Sequence, residues 1–95
     1  MERFEDMVHD ALAYFVKQGK TTVRIGEIKV YLLKHYNMKS LLYPSMARNI
    51  LRSFVELAKF NDWVTEYDMK TGIIMINEEW ADLVKLKQEQ QGESE

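Results

Sequence analysis

The fold of this chain is decided by the stretch YPSMARNILRSFVELAKF, residues 43–60. Proline at position 44 disfavours the helical conformation for Tyr43 but fits the first turn of a helix, so a helix should begin at Pro44. Apolar residues then recur three and four positions apart, which is the period of a helix with one buried side. They are Ala47, Ile50, Leu51, Phe54 and Ala58.

Three elements precede this helix in the chain. Helical spacing of apolar residues, with acidic residues in the first turns, predicts a helix over residues 3–18. Gly19 can end this helix because glycine adopts the left-handed conformation without strain. A β-branched run at 21–25 predicts a brief strand or extended connector, and a second helix should run from residue 27 to residue 37.

A hairpin and a last helix follow it. The β-rich segments at 63–67 and 72–76 flank a polar turn, which is the pattern of a two-stranded hairpin. Asn77 can cap a last helix over residues 78–87. The order helix, short strand, helix, helix, β-hairpin, helix makes the expected fold class α+β and mainly α.

Charge is unevenly distributed along the chain, although the formal net charge is only −2. Residues 17–59 hold nine Lys or Arg against Glu27 and Glu56, a local charge of +7, whereas both flanks are acidic. Lys and Arg neutralise phosphates and release condensed counterions. A basic segment that overlaps two predicted helices therefore indicates a phosphate-binding face.

Composition excludes several classes of protein. The chain has no cysteine, so disulfides, thiolate metal sites and a cysteine nucleophile are excluded, and we expect a cytoplasmic location. No apolar run approaches the roughly 20 residues of a membrane span, and the first residues lack the pattern of a signal peptide. We expect one domain over residues 1–87 and a disordered polar tail over 88–95.

No arrangement of residues indicates catalysis or a metal site. Gly19-Lys20-Thr21 resembles the end of a phosphate-loop motif, but Tyr14 stands where that motif needs its first glycine. Asp6 and His9 share one helix turn, as metal ligands do, yet the chain has no second pair of this kind. We therefore predict no enzymatic activity and no cofactor, and no small-molecule effector is indicated.

The order of elements over residues 3–87 resembles that of the winged helix-turn-helix superfamily, whose members share a pattern and no invariant motif. The resemblance implies that the third helix enters the major groove of DNA. It also implies that the hairpin turn at 69–72, the wing, contacts adjacent backbone or the minor groove. The connection at 38–43 is longer than in a plain helix-turn-helix, which leaves the angle between the second and third helices open.

Eight residues are predicted to contact double-stranded DNA. On the exposed side of the third helix, Arg side chains fit guanine and Asn fits adenine, and a serine can hold a phosphate. At the wing a lysine and a threonine can meet phosphate, although a solvated hairpin explains them equally well, and two further cations can touch the backbone. The eight are Ser45, Arg48, Asn49, Arg52, Lys70, Thr71, Arg24 and Lys39.

A homodimer is predicted because one small domain lacks the area and the two half-sites of a specific DNA complex. Its interface is expected on apolar residues of the first and last helices, namely Phe4, Trp80, Leu83 and Leu86. The alternative is that these residues only cover the chain's own core. We thus predict a small homodimeric transcriptional regulator that binds specific DNA sequences. The alternatives are a winged-helix module that binds protein, which the overall acidity favours, and an RNA-binding protein.

Overall fold

The computed structural model of this protein describes residues 3–93. Within this range the structure is α+β and mainly helical, with four α-helices, one short 3-10 helix and a three-stranded antiparallel sheet. The predicted order of helices and strands is confirmed. The elements are α1 (Phe4–Lys17), β1 (Thr22–Arg24), α2 (Ile25–Tyr36), the 3-10 helix (Lys39–Leu42), α3 (Pro44–Phe60), β2 (Val64–Asp68), β3 (Ile73–Ile76) and α4 (Glu78–Glu93).

The sheet has the strand order β1-β3-β2, with β3 in the centre. The predicted hairpin is therefore one part of a larger sheet, because β1 also pairs with β3. Successive side chains of a strand point to opposite faces. Val23, Ile74 and Val64 are buried on one face, whereas Thr22 and Met75 are exposed on the other. The helices thus cover one face of the sheet.

The buried side of α3 packs against α1, α2 and β2. Phe54, the largest fully buried side chain in the described residues, lies on this side together with Ala58, as the helical period predicts. Val55 is also buried, while Ile50 and Leu51 are half-buried at the edge of the same side. The polar side of α3 is consequently turned to solvent.

The structure confirms the predicted ends of α1 and α2 and the predicted start of α3, whereas α2 begins at Ile25, two residues before its predicted start. Gly19 follows α1 with a φ of +85°, and Asn37 follows α2 with a φ of +51°, so both adopt the left-handed conformation. Pro44 is the first residue of α3. The long connection before α3 contains the 3-10 helix, and its Leu41 is fully buried, so packing holds this connection in place.

The last helix is longer than the sequence predicts. Asn77 caps α4 as expected, since its Oδ1 accepts a hydrogen bond from the backbone N–H of Glu79 at 3.0 Å. The helix then continues to Glu93, past the predicted end at residue 87. This boundary was wrong because Gln, Glu and Lys are strong helix formers, and a polar composition alone does not end a helix. Residues 94 and 95 of the predicted tail lie outside the described residues.

Residues 3–93 contain neither a membrane-spanning helix nor a metal-binding cluster. None of the helices there is long and apolar enough to cross a membrane. Across the same residues, no group of three or more His, Cys, Asp and Glu side chains lies together in a way that could hold a metal ion.

Candidate nucleic-acid interface

The exposed side of α3 carries four of the predicted DNA contacts. Ser45, Arg48, Asn49 and Arg52 are all solvent-exposed. Residues three or four positions apart are neighbours on a helix surface, so the two arginines and the asparagine form one compact group. We call Arg48, Asn49 and Arg52 the α3 row. The α3 row faces solvent because the opposite side of the same helix is buried in the core.

One hydrogen bond orders the α3 row. Nη2 of Arg52 donates to Oδ1 of Asn49, and the distance between the two atoms is 2.7 Å. A guanidinium has five N–H donors and an amide oxygen has two lone pairs, so both groups keep capacity for a ligand. Immobilising one such side chain on binding costs about 0.5 to 1.5 kcal/mol of conformational entropy. Because this bond already restricts both side chains in the free protein, part of that cost is avoided on binding.

A groove separates α3 from the turn between β2 and β3. We call it the α3 groove, and its volume is about 550 Å³. Arg48, Arg52 and Lys59 line it, together with one carboxylate, Glu56, and the apolar Met69 of the turn. Lys59 was not among the predicted contacts, although its place in the basic segment was a signal for it. The groove therefore combines three cations with apolar surface.

The turn between β2 and β3 places both predicted contact residues in solvent. Lys70 and Thr71 are exposed. The carboxylate of Asp68 accepts the backbone N–H of Lys70 at 2.9 Å, and this bond, followed by one from the Thr71 hydroxyl, lowers the pKa of Asp68. The Thr71 hydroxyl also accepts the N–H of Ile73 at 3.4 Å. The Thr71 side chain thus stabilises the turn through its own hydrogen bonds, and Lys70 is the better candidate for a phosphate contact.

Arg24 directly precedes α2 and Lys39 is the first residue of the 3-10 helix, and both are exposed. The Glu27 carboxylate accepts the ammonium of Lys20 through Oε2 and the backbone N–H of Arg24 through Oε1, the latter at 3.2 Å. The Lys20 bond, and then the Arg24 bond, lower the pKa of Glu27. These contacts fix the backbone at the start of α2, while the Arg24 side chain extends into solvent.

The basic segment does not form a single patch. Arg48 and Arg52 line the α3 groove, whereas Arg24 and Lys34 line a second cavity, of about 580 Å³, between α1 and α2. Ile25 lines both cavities and so lies between them. Five of the nine cations of residues 17–59 therefore line one or the other of two separate cavities, a division that the sequence does not show.

The four predicted dimer residues fall into two groups. Leu83 is 57% exposed and Leu86 is 50% exposed, so α4 presents apolar side chains to solvent. Phe4 and Trp80 instead pack against the protein's own core. The ring of Trp80 lies 5.5 Å from the ring of His9, between their centroids. Only the two leucines are thus placed as an interface with another chain requires.

Exposed apolar residues around the start of α3 were not predicted. Leu42 is 66% exposed, Tyr43 is 62% exposed and Met46 is 48% exposed. Met46 is not among the residues predicted for the buried side of α3, and no helical period covers the two residues before Pro44. Apolar side chains here can contact thymine methyl groups or another protein.

No family model, no curated protein and no solved structure matches this chain. Its function is therefore inferred from the chemistry of the α3 row, the two cavities and the exposed side of α4.

Proposed function

We propose that this protein is a winged-helix protein that binds specific sequences of double-stranded DNA with α3 in the major groove. The observation that carries the proposal is the α3 row, an exposed Arg, Asn and Arg on a helix whose other side is buried. The order of elements, with a short β1 added to the β2-β3 hairpin, supports the winged-helix assignment. A helix with its side chains is about 10 to 12 Å across and fits the major groove.

The α3 row has the chemistry for reading bases. An Arg side chain donates two hydrogen bonds to O6 and N7 of guanine, and an Asn side chain pairs with N6 and N7 of adenine. Because Arg52 is bonded to Asn49, the two are expected to read neighbouring bases as a unit. Ser45 lies in the first turn of α3, where the helix dipole and a hydroxyl both favour a phosphate.

Contacts with the DNA backbone are proposed for the cations around this helix. Lys70 in the β2-β3 turn is placed to meet a phosphate or the minor groove next to α3. Lys39 precedes α3 and Arg24 precedes α2, and both side chains are exposed. Lys59 in the α3 groove is a further candidate. Such contacts position the protein on the duplex without reading its sequence.

The DNA-binding form is proposed to be a homodimer. Leu83 and Leu86 are exposed apolar residues one helix turn apart on α4, and a two-fold pairing through this part of the helix would cover them in both copies. A dimer would also present two α3 helices to half-sites about 34 Å apart, or a multiple of this spacing. This arrangement is typical of transcriptional regulators, which is the role that we propose.

Protein binding by the same fold is a second candidate function. It is favoured by the exposed Leu42, Tyr43 and Met46 at the start of α3, and by the apolar part of the α3 groove. Clusters of exposed apolar and aromatic residues mark protein interfaces more often than nucleic-acid interfaces. In this case α3 would contact a protein instead of a duplex.

Binding to duplex DNA of random sequence at two salt concentrations tests the proposal directly. Each phosphate that the protein neutralises adds about 0.9 to the slope of log affinity against log salt, so a dimer with six contacts should show a slope of about −5. The matched control is Lys85→Ala, which removes an exposed cation of α4 and should leave this slope unchanged. If folded protein binds no duplex near about 50 mM salt, the DNA proposal is wrong and the protein-binding function is favoured.

A further inference from the structure

The cavity between α1 and α2 is separate from the α3 row, which carries the function proposed above. We call it the α2 cleft. Its volume of about 580 Å³ lies in the range of roughly 300 to 1,000 Å³ that is typical of small-ligand sites. The start of α2 and Thr71 of the β2-β3 turn also line it, so three parts of the chain meet there.

Aromatic rings of α1 and α2 form one wall of the cleft. Tyr31 and His35 are stacked, with ring centroids 4.1 Å apart and an angle of 21° between the ring planes. Tyr14 of α1 lies 5.0 Å from Tyr31 and 5.6 Å from His35, again between centroids. Tyr14 is 38% exposed and His35 is exposed, so part of this wall is open to solvent. A planar aromatic group can stack against such rings.

The cleft also has an excess of positive charge. Arg24 and Lys34 line it, and one acid, Glu27, lines it too. The Glu27 carboxylate is already bonded to the ammonium of Lys20 and to the backbone N–H of Arg24. Its negative charge is therefore balanced by Lys20, and the charges of Arg24 and Lys34 attract an anion.

We propose that the α2 cleft binds a planar aromatic anion, with its ring against Tyr14 and His35 and its anionic group towards Arg24 and Lys34. A nucleoside monophosphate and an aromatic carboxylate share this chemistry. The proposal does not depend on DNA binding, because Tyr14, His35 and Lys34 have no place among the proposed DNA contacts and only Arg24 is shared with them. Such a ligand would also lie next to Ile25, whose N–H donates to the carbonyl oxygen of Gly72 at 2.8 Å.

Calorimetric titration with two pairs of probes tests the proposal on the full chain. The charged probes are adenosine monophosphate and naphthoate, and their uncharged partners are adenosine and naphthylmethanol. We expect at least one charged probe to bind about tenfold more tightly than its uncharged partner, since charge-assisted hydrogen bonds are stronger than neutral ones. The pair that shows this preference identifies the source of the ligand.

Gly26→Leu blocks the cleft without disturbing the fold. Gly26 lines the cleft within α2, and a Cβ atom built there has no other atom within 4 Å. Leucine also favours a helix more than glycine does, so this variant should fold at least as well as the wild type. We expect it to lose about tenfold or more in affinity for the charged probe because the leucine occupies the ligand's place.

Lys34→Gln separates the charge from the shape of the site. It should lower the affinity for the charged probe about three- to tenfold and leave the affinity for the uncharged partner unchanged, because an exposed cation contributes a modest attraction. The matched control is Lys85→Gln, an exposed cation of α4 that does not line the cleft and should change the affinity for neither probe.

Three results would overturn the proposal. The first is no saturable binding of either charged probe by folded protein. The second is equal affinity for the charged and uncharged members of both pairs. The third is unchanged binding by Gly26→Leu, with circular dichroism confirming that this variant is folded.

Discussion

The helices α3 and α4 both bury one side, and they differ in what they leave exposed. The outer side of α3 carries Arg48, Asn49 and Arg52, whereas the outer side of α4 carries Leu83 and Leu86. Polar groups with directed hydrogen bonds suit a ligand with a pattern of donors and acceptors, and exposed leucines suit another apolar surface. The comparison suggests two surfaces with separate tasks, one for recognition and one for assembly.

The two helices also differ in how deeply they are set in the fold. α3 packs against α1, α2, β2 and the 3-10 helix, whereas α4 packs mainly against α1. Phe54 of α3 is fully buried, and Val84 of α4 is 8% exposed. Substitutions in the buried side of α3 should therefore destabilise the whole fold. Substitutions in the buried side of α4 should weaken mainly its contact with α1.

The largest expected effect is on stability. Phe54→Ala should lower the free energy of unfolding by about 3 to 5 kcal/mol, through lost burial and a cavity, whereas Val84→Ala should lower it by about 1 to 2 kcal/mol. Urea denaturation followed by circular dichroism measures both. Phe60→Ala is the control, because this ring is 85% exposed and its loss should change stability by less than about 0.5 kcal/mol. Equal losses from the first two variants would contradict the central position of α3.

The assembly role of α4 is tested by Leu83→Glu. Placing a carboxylate in the middle of the proposed interface should raise the dimer dissociation constant by about tenfold or more, because it buries an unpaired charge. The fold should survive, since Leu83 is 57% exposed in the single chain. Size exclusion with light scattering gives the mass. A wild-type mass near 11.3 kDa at about 50 micromolar would show that the protein is a monomer, and α4 would then not be a dimer interface.

The recognition role of α3 is tested by Arg48→Ala and Arg52→Ala. Each should cost about 1 to 3 kcal/mol against the preferred DNA sequence and relax specificity at one position. Lys70→Ala is the comparison within the same surface. As a phosphate contact it should weaken all sequences about equally and reduce the salt slope by roughly one. If the two Arg variants weaken specific and random DNA by the same factor, α3 does not read bases.

The smallest expected effect distinguishes the charged side-chain contact at the start of α2 from the neutral cap of α4. Because the pKa of Glu27 is lowered from 4.5 in the folded protein, its ionised form stabilises the fold above about pH 4.5, and this contribution is lost as the pH falls through the lower, folded value. Glu27→Gln should cost less than about 1 kcal/mol at pH 7, since the pair is partly exposed, and almost nothing near pH 2. The measurement is the midpoint of urea denaturation of the variant and the wild type at both pH values.

Asn77→Ala is the matched control for Glu27→Gln. Asn77 caps α4 with a neutral side chain, so its loss should cost about 1 kcal/mol at both pH values. A cost of Glu27→Gln that does not change with pH would mean that the carboxylate acts through its shape and not through its charge.

The candidate site was predicted in part. The helical period was enough to place Arg48, Asn49 and Arg52 on one exposed side, because residues three and four apart share a helix face. It was not enough to show the bond between Arg52 and Asn49, which depends on the rotamers that both side chains adopt. The α2 cleft was missed entirely, since its walls come from α1, α2 and the β2-β3 turn.

By itself, the sequence determined where α1 and α2 end and where α3 begins. Pro44, Gly19 and Asn37 act through the conformational preferences of their own backbone, and such preferences are local. Only the tertiary structure decided that β1 pairs with β3, and that five cations of the basic segment line two separate cavities. These features depend on contacts between residues far apart in the chain, and the packing of the whole core selects those contacts.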